Sequence, residues 1–287
     1  MHRSKDRLDK ILVERGLAST RARAQSLIMA GRVKVDGNRT EKAGQIVGID
    51  SALEVSGNES EWVSRGAYKL IRGLDVFNIN PEGLECMDVG ASTGGFTEVL
   101  LSRKASRVFA VDVGYGQLAW KLRNDPRVVV MERTNARFLS PGQFPGPLDL
   151  IVVDASFISL RLLLPPLIEL LTPEGEMVLL IKPQFEAGRG RVGKGGVIRS
   201  SKIHLQVLEE FCAFAGSLEE IALAGLTWSP IKGPSGNIEF LAHLVLRKGS
   251  EIPVVDPGEL VTKVVSEATL ALAREHDGSE RERENES

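Results

Sequence analysis

The sequence predicts a doubly wound α/β domain behind a small α+β head. Three observations predict it. Short apolar runs rich in β-branched residues recur between residues 86 and 182, with helical patterns between most of them. These runs do not alternate apolar with polar, so both faces of their sheet are buried, as in parallel sheets. A glycine-rich turn, Gly90-Ala91-Ser92-Thr93-Gly94-Gly95, follows the first run, at the strand end where a doubly wound sheet admits ligands.

A chain of 287 residues holds one large domain, or one ordinary domain and a small one. Its 43% apolar content excludes a mainly disordered or fibrous protein. Cys86 and Cys212 cannot build a disulfide framework. Cys86 reads as a core thiol. There is no uninterrupted apolar stretch of ~18 residues and no secretory apolar core after MHRSKDRLDK. A cytoplasmic location is the expectation. His2, His204, His243 and His276 are scattered without metal-ligand spacing, so no metal is expected. The net charge is −2, yet residues 1–45 hold 11 Lys/Arg against 5 Asp/Glu. A basic head on an acidic body points to a polyanionic partner, or to a solvated helix face.

The head comes first. Leu8, Ile11, Leu12 and Arg15 share one face of a short helix, and Gly16 ends it. Ser19 or Thr20 can cap a second helix with Ala24, Leu27 and Ile28 as its stripe and Gly31 as its stop. Val33-Lys34-Val35 alternates as a strand, and Asp36-Gly37 is a hairpin-turn pair. A polar stretch, residues 56–61, reads as a linker, and Trp62 as an anchor packed between the two parts. The expected division is 1–60, 61–250 and 251–287.

The body follows. A helix from Ser64 has Ala67, Leu70 and Leu74 inward, and places Arg65 and Lys69 four apart on one face. Strands are expected at 86–90, 108–112, 128–131, 150–154 and 177–182, with helices at 95–104, 116–123, 160–171 and 199–215. Runs at 221–228 and 239–246 lack a long helix between them and can pair antiparallel. A helix is expected at 257–274, with a charged tail beyond it that lacks aromatics and reads as disordered.

The chemistry lies at the strand ends. Asp88-Val89-Gly90 leads into the glycine turn, and Asp112 ends the second strand, where an acid can bond ribose hydroxyls. The turn lacks the lysine of a triphosphate loop and is not GxGxxG. It suits an adenosine-bearing cofactor, or else only tight packing with a capping Asp. Asn135 can reach an adenine edge or cap a helix. Tyr115 can stack on a base or fill a rim. Residues 187–197 (AGRGRVGKGGV) hold five glycines with Arg189, Arg191 and Lys194, a basic loop able to close over RNA.

Two resemblances sharpen these readings. Residues 7–16 (RLDKILVERG), then Ser19, Arg21, Ala24, Ile28, Gly31, Val33 and Val35-Asp36-Gly37, resemble the S4-like RNA-binding domain. That resemblance implies phosphate contacts by Arg21, Arg23, Arg32 and Lys34, which position a protein without reading sequence. The acid-ended fourth strand (Asp154), Lys182-Pro183 after the fifth, and the antiparallel pair resemble the Rossmann-like S-adenosylmethionine methyltransferases with a seven-stranded, mostly parallel sheet. Lys69, Asp154, Lys182 and Glu239 match the Lys-Asp-Lys-Glu tetrad of FtsJ-like 2′-O-ribose methyltransferases. Together with the head, the chain through about Leu246 resembles the TlyA family of rRNA methyltransferases. Segments 64–70 (SRGAYKL), 154–159 (DASFIS) and 182–186 (KPQFE) support the match.

The family implies S-adenosylmethionine, bound by Asp88, Gly90, Ser92, Gly94, Gly95, Phe96, Asp112, Asn135 and Asp154. It implies ribosomal RNA or a ribosomal subunit as partner, with Arg65, Tyr115 and the 187–197 loop on the RNA side. It assigns Lys182 as general base, with Lys69 steadying the hydroxyl, Asp154 orienting Lys182 near the sulfonium and Glu239 orienting a lysine. A free lysine (~10.4) is protonated near neutrality; a second ammonium and burial favour its neutral form. Rival readings are a membrane-active cytolysin, a label also attached to this family, and an RNA-binding assembly factor with an idle cofactor site.

Overall fold

The computed structural model describes residues 5–18, 20–29, 31–40, 42, 44–55, 62–247 and 256–284, without the side chains of 22, 23, 26, 189, 194 and 273–284. The chain divides into two compact units, 1–61 and 62–287.

The first unit begins with β1 (Lys5–Arg7), α1 (Leu8–Glu14) and α2 (Arg21–Met29). Short strands β2 (Val33–Val35), β3 (Asn38–Thr40), β4 (Ile46–Gly48) and β5 (Leu53–Val55) follow. β3-β2-β5 make one antiparallel sheet and β1-β4 a second pair. Asp36 and Gly37, both at positive φ, turn the β2–β3 hairpin. Leu8, Ile11, Leu12, Ala24, Leu27, Ile28 and Val33 form the core. Arg15, expected on the inward face, lies exposed and donates to the Ser51 carbonyl at 2.7 Å. Ser19 lies outside the described residues.

The second unit opens with Trp62, packed against its own core, and α3 (Ala67–Phe77). Then come β6 (Glu85–Val89), α4 (Gly95–Ser102), β7 (Arg107–Val111), α5 (Trp120–Arg123), β8 (Val128–Met131) and β9 (Leu148–Val153). The chain continues through α6 (Leu164–Ile168), β10 (Leu171–Ile181), α7 (Pro183–Glu186), α8 (Ser201–Gly216), β11 (Ile221–Trp228), β12 (Phe240–Leu246) and α9 (Pro257–Glu284). The seven strands run in the order β11-β12-β10-β9-β6-β7-β8. β10, β9, β6, β7 and β8 are mutually parallel, and β12 is antiparallel to both neighbours.

Alternate residues of the central strands feed two cores. Ile151, Val153, Met177 and Leu179 join the Phe211 and Phe240 cluster on one face. Leu150, Val152, Val178 and Leu180 join Leu70, Leu74 and Leu100 on the other. Burial on both faces explains the absence of polar alternation.

Four helical expectations change. The helix expected from Ser64 begins at Ala67, so Arg65 lies in the preceding turn, exposed, and shares no helix face with the buried Lys69. The run 160–171 splits into a 3-10 turn, Leu160–Leu162, and α6, and β10 begins at Leu171. Pro165 and Pro166 lack the N–H groups that a longer helix needs, and sit in the first turn of α6 where that is tolerated. The 116–123 helix shortens to α5, because Gly116 is left-handed and Ala119 extended. The last helix continues to Glu284 where a disordered tail was expected. Its Glu/Arg-rich end favours helix, and its earlier turns bury Val261, Val264, Val265, Ala268 and Leu272 in the core.

Candidate active site

The site collects at one edge of the sheet. Asp88 is the penultimate residue of β6, while Asp112, Asp154 and Lys182 immediately follow β7, β9 and β10. Parallel strands bring those ends together. Glu239 reaches the same edge from the opposite direction, because β12 is antiparallel and Phe240 pairs with Ile181. Lys69 enters from the first turn of α3.

Four buried or half-buried charges meet there. Lys69 Nζ donates to Glu239 Oε2 at 2.6 Å and lies 4.0 Å from Asp154 Oδ2. Lys182 Nζ is 2.6 Å from Asp154 Oδ1 and donates to Ser156 Oγ at 2.8 Å. Lys69, Lys182 and Glu239 are buried. Two cations facing two carboxylates limit the desolvation cost, since breaking one buried pair strands the other charge. Asp154 is shared by both lysines.

The glycine turn is shaped by close approach. Gly90 has φ +85°, and a Cβ there would lie 2.7 Å from the Asp154 carbonyl oxygen. Gly94, at φ +97°, faces Leu118 and Leu122 with no room for a methyl group, and Gly95 lies against Ser64. Asp88 is fully buried. One of its oxygens accepts from Thr97 N at 2.8 Å and Thr97 Oγ1 at 2.7 Å, at the start of α4, and the other has no partner among the described residues. Burial pushes this carboxyl up to about 7, against the opposing pull of the Thr97 bonds. Phe96 is buried in the core and borders the cleft.

Two cavities adjoin. One, of about 540 Å³, is lined by Arg65, Lys69, Asp88, Asp154, Lys182 and Glu239, among others. The other, of about 390 Å³, holds Asp112 and Asn135 beside Val113, Ala136, Ile158 and Leu163. Gly90, Ser92, Asp154, Ser156 and Phe157 line both. Asp112 accepts from Ser92 N at 2.8 Å and Gly114 N at 2.6 Å, which spans the two loops of the second cavity. Asn135 both lines that cavity and caps a 3-10 turn through Arg137 N at 3.1 Å.

The basic residues proposed for RNA divide. Arg65 is exposed at the cleft. Tyr115 is 68% exposed, with the Arg133 guanidinium 4.3 Å above its ring. Lys34 pairs loosely with Glu54 at 3.3 Å on the surface, and Arg32 is half-buried. Arg21 is committed within the head, donating to buried Asp9 at 3.1 Å. Arg191 also departs from expectation. It pairs with Glu210 through both guanidinium ends at 2.6 and 2.9 Å and donates to the Ala187 carbonyl. The side chains of Arg23, Arg189 and Lys194 lie outside the described ones.

Sequence reasoning gave no role to Ser156 and Phe157, although both stand in the 154–159 segment. Phe157 is 90% exposed at φ +63° and packs on Phe185 at 5.0 Å. A bulky residue rarely adopts that conformation. Ser64 and Ser235 are further unforeseen cleft residues. Among the described residues no cluster suits a metal ion, and no helix is long and apolar enough to cross a membrane.

The family model for FtsJ-like methyltransferases matches residues 62–246, and the S4 domain model matches residues 6–52. The chain belongs to the FtsJ-like methyltransferase family. Within that family it groups with TlyA. The 16S/23S rRNA (cytidine-2′-O)-methyltransferase TlyA of Mycobacterium tuberculosis is 46% identical over 91% of this chain and 97% of its own. Hemolysin A of Brachyspira hyodysenteriae is 41% identical over 84% of this chain and all of its own. A solved structure from Streptococcus thermophilus, described as a hemolysin, superposes with a TM-score of 0.74 at 42% identity, covering 96% of this chain and 99% of that one. The mostly parallel seven-stranded sheet is thus an FtsJ-like methyltransferase fold, accompanied by an S4 domain.

Proposed function

We propose that this TlyA-family chain transfers a methyl group from S-adenosylmethionine to a ribose 2′-oxygen of ribosomal RNA, with Lys182 as general base. The observation that carries the proposal is the sharing of Asp154 between Lys69 and Lys182 beside the glycine turn. The named rRNA 2′-O-methyltransferase relative supports the substrate class. The cofactor fits the residues present. Gly90, Ser92 and Asp154 border both cavities, Asp112 and Asn135 stand in the second, whose apolar walls suit an adenosine, and the unpartnered Asp88 oxygen suits a cationic amino-acid end. Gly94, Gly95, Ser92 and Phe96 shape this cradle.

When bound, S-adenosylmethionine supplies an electrophilic methyl group on sulfur. The protein's part is to make the hydroxyl a nucleophile. Lys69, fixed by Glu239, holds the ribose oxygen by hydrogen bonding. Lys182 Nζ accepts the 2′-O–H proton while the oxygen–carbon bond forms and the carbon–sulfur bond breaks. Asp154 and Ser156 orient Lys182, and Asp154 stabilises the ammonium that results. Positioned general-base catalysis contributes about 10²–10⁴-fold.

The head, 1–60, binds RNA through its basic surface, and 61–250 performs the chemistry in the cytoplasm. Arg65 meets RNA at the cleft, exposed Tyr115 meets it on the loop after Asp112, and Phe157 offers a base an aromatic face. Mass-spectrometric mapping of ribose methylation on rRNA from cells with and without the protein tests the proposal. One or more 2′-O-methyl groups should vanish without it; an unchanged map rejects the function.

A further inference from the structure

Beyond the catalytic cleft, α3 carries a second surface toward the same mouth. Tyr68 and Arg72 lie four apart, on one face of α3, and Arg65 stands in the turn just before the helix. Arg65 lines the catalytic cleft. Tyr68 and Arg72 line a separate open groove of about 510 Å³ with Ile71, Val76, Pro230 and Ile231. Ile231 borders both depressions. Asp75, the acid in the groove, is neutralised by Arg103 at 2.7 Å.

Arg72 distinguishes this groove from a bland apolar dent. Its guanidinium lies 4.0 Å over the Trp228 ring. It forms no ion pair with a carboxylate among the described residues, and its Nε is buried without a partner. Burial disfavours its charge, and Glu267 offsets this only at a distance. A half-buried cation with no ion-paired carboxylate among the described residues, beside an open groove, suits an anion. Tyr68, 40% exposed, supplies an aromatic face next to it, and Val76, 49% exposed, an apolar wall.

We infer that this groove seats the nucleotide adjoining the methylated one, its base against Tyr68 and its phosphate at Arg72. The inference rests on the RNA methyltransferase reading and adds a subsite to it. Stacking on an aromatic plane and pairing with a guanidinium are how single-stranded RNA is held. Continuity through Ile231 puts the groove one step from the ribose held by Lys69 and Lys182.

The test uses full-length protein and ribosomal subunits from cells lacking it. Tyr68→Ala and Arg72→Met should each raise the KM for subunits about 5- to 100-fold, with S-adenosylmethionine affinity unchanged. Tyr68→Phe should keep the wild-type KM. Replacing Tyr68 by p-benzoylphenylalanine and irradiating the subunit complex should yield an RNA adduct within a few nucleotides of the methylated one. An unchanged KM in both variants overturns the subsite, as does an adduct to a ribosomal protein or to distant RNA. Lys182→Ala is assayed alongside: full activity there rejects the catalytic reading instead, which separates the two failures.

Discussion

Lys182 Nζ stands 2.6 Å from Asp154 Oδ1, joining the ends of adjacent parallel strands β10 and β9. The pair places an amine beside the glycine turn, with Ser156 as its further partner. If that amine is the base, Lys182→Ala should bind cofactor and RNA yet lose about 10²–10⁴-fold in rate. Lys182→Arg should not restore it, because a guanidinium stays protonated. A 2′-deoxy target nucleotide should bind and remain unmethylated. Near-wild-type turnover by Lys182→Arg removes the base role, and methylation of the deoxy substrate moves the target to a base atom.

Asp112 bonds two backbone amides as well as facing the second cavity. Asp112→Ala should weaken S-adenosylmethionine by about 1.5–3 kcal/mol, through lost ribose bonds and a loosened Ser92. RNA affinity should hold. Calorimetry finding wild-type cofactor affinity would confine Asp112 to a loop brace.

The raised Asp88 carboxyl should make stability and S-adenosylmethionine binding pH-dependent in a defined direction. Its folded carboxyl titrates at about 7, raised by burial, while an exposed Asp titrates at ~3.9. Between these values the folded protein holds the proton and the unfolded chain does not, so this group's contribution to stability falls as pH rises from about 4 to 7. Asp88→Asn should remove that slope from the melting temperature. A cationic ligand favours the ionised carboxylate, so S-adenosylmethionine should bind more tightly as pH rises toward 7, with proton release. Parallel wild-type and Asp88→Asn melting profiles would show that Asp88 is ionised throughout.

The head is organised around Asp9, fully buried and accepting from Arg7 at 2.9 and 3.0 Å, Arg21 at 3.1 Å and Gln25 at 2.7 Å. The Arg7 guanidinium, with Gln25 and Arg21, holds its carboxyl well below the usual range. Its contribution is present above the ordinary carboxylate value and is lost as pH falls through the folded value. Asp9→Ala should destabilise the head by about 1–3 kcal/mol, read as earlier loss of head amide protection in hydrogen exchange. Protection unchanged from wild type would reject that role.

Deleting 1–61 should leave cofactor affinity intact, since the cores of the second unit include no head residue. RNA affinity should drop, and each lost phosphate contact should flatten the salt slope by about 0.7–0.9. Undiminished RNA affinity with an unchanged slope would place RNA binding elsewhere.

The strand ends were legible because burial on both sheet faces leaves unbroken apolar runs, and the acids or lysines that close them stand out. The pairing of Lys69 with Glu239 joins residues 170 apart, and only the resemblance foresaw that they belong together. The fate of Arg21 and Arg191 was not legible. Whether a basic side chain faces solvent or a carboxylate depends on tertiary placement of Asp9 and Glu210, which charge counting does not contain. Likewise the positive φ of Phe157 was not legible, since no local preference leads an aromatic residue there. Helix 160–171 failed on a signal that was present: two prolines that can only begin a helix.

Lys232 borders the catalytic cleft and donates to the Leu272 carbonyl at 3.2 Å in α9. That helix also fills part of the core beneath the sheet. No residue of the proposed chemistry lies beyond Glu239, yet a nonsense codon between positions 240 and 272 would untether the Lys232 turn and expose that core. Such alleles should therefore behave as loss-of-function even with every catalytic codon intact, and a genetic screen for inactivation would recover lesions along α9 as well as at the strand ends.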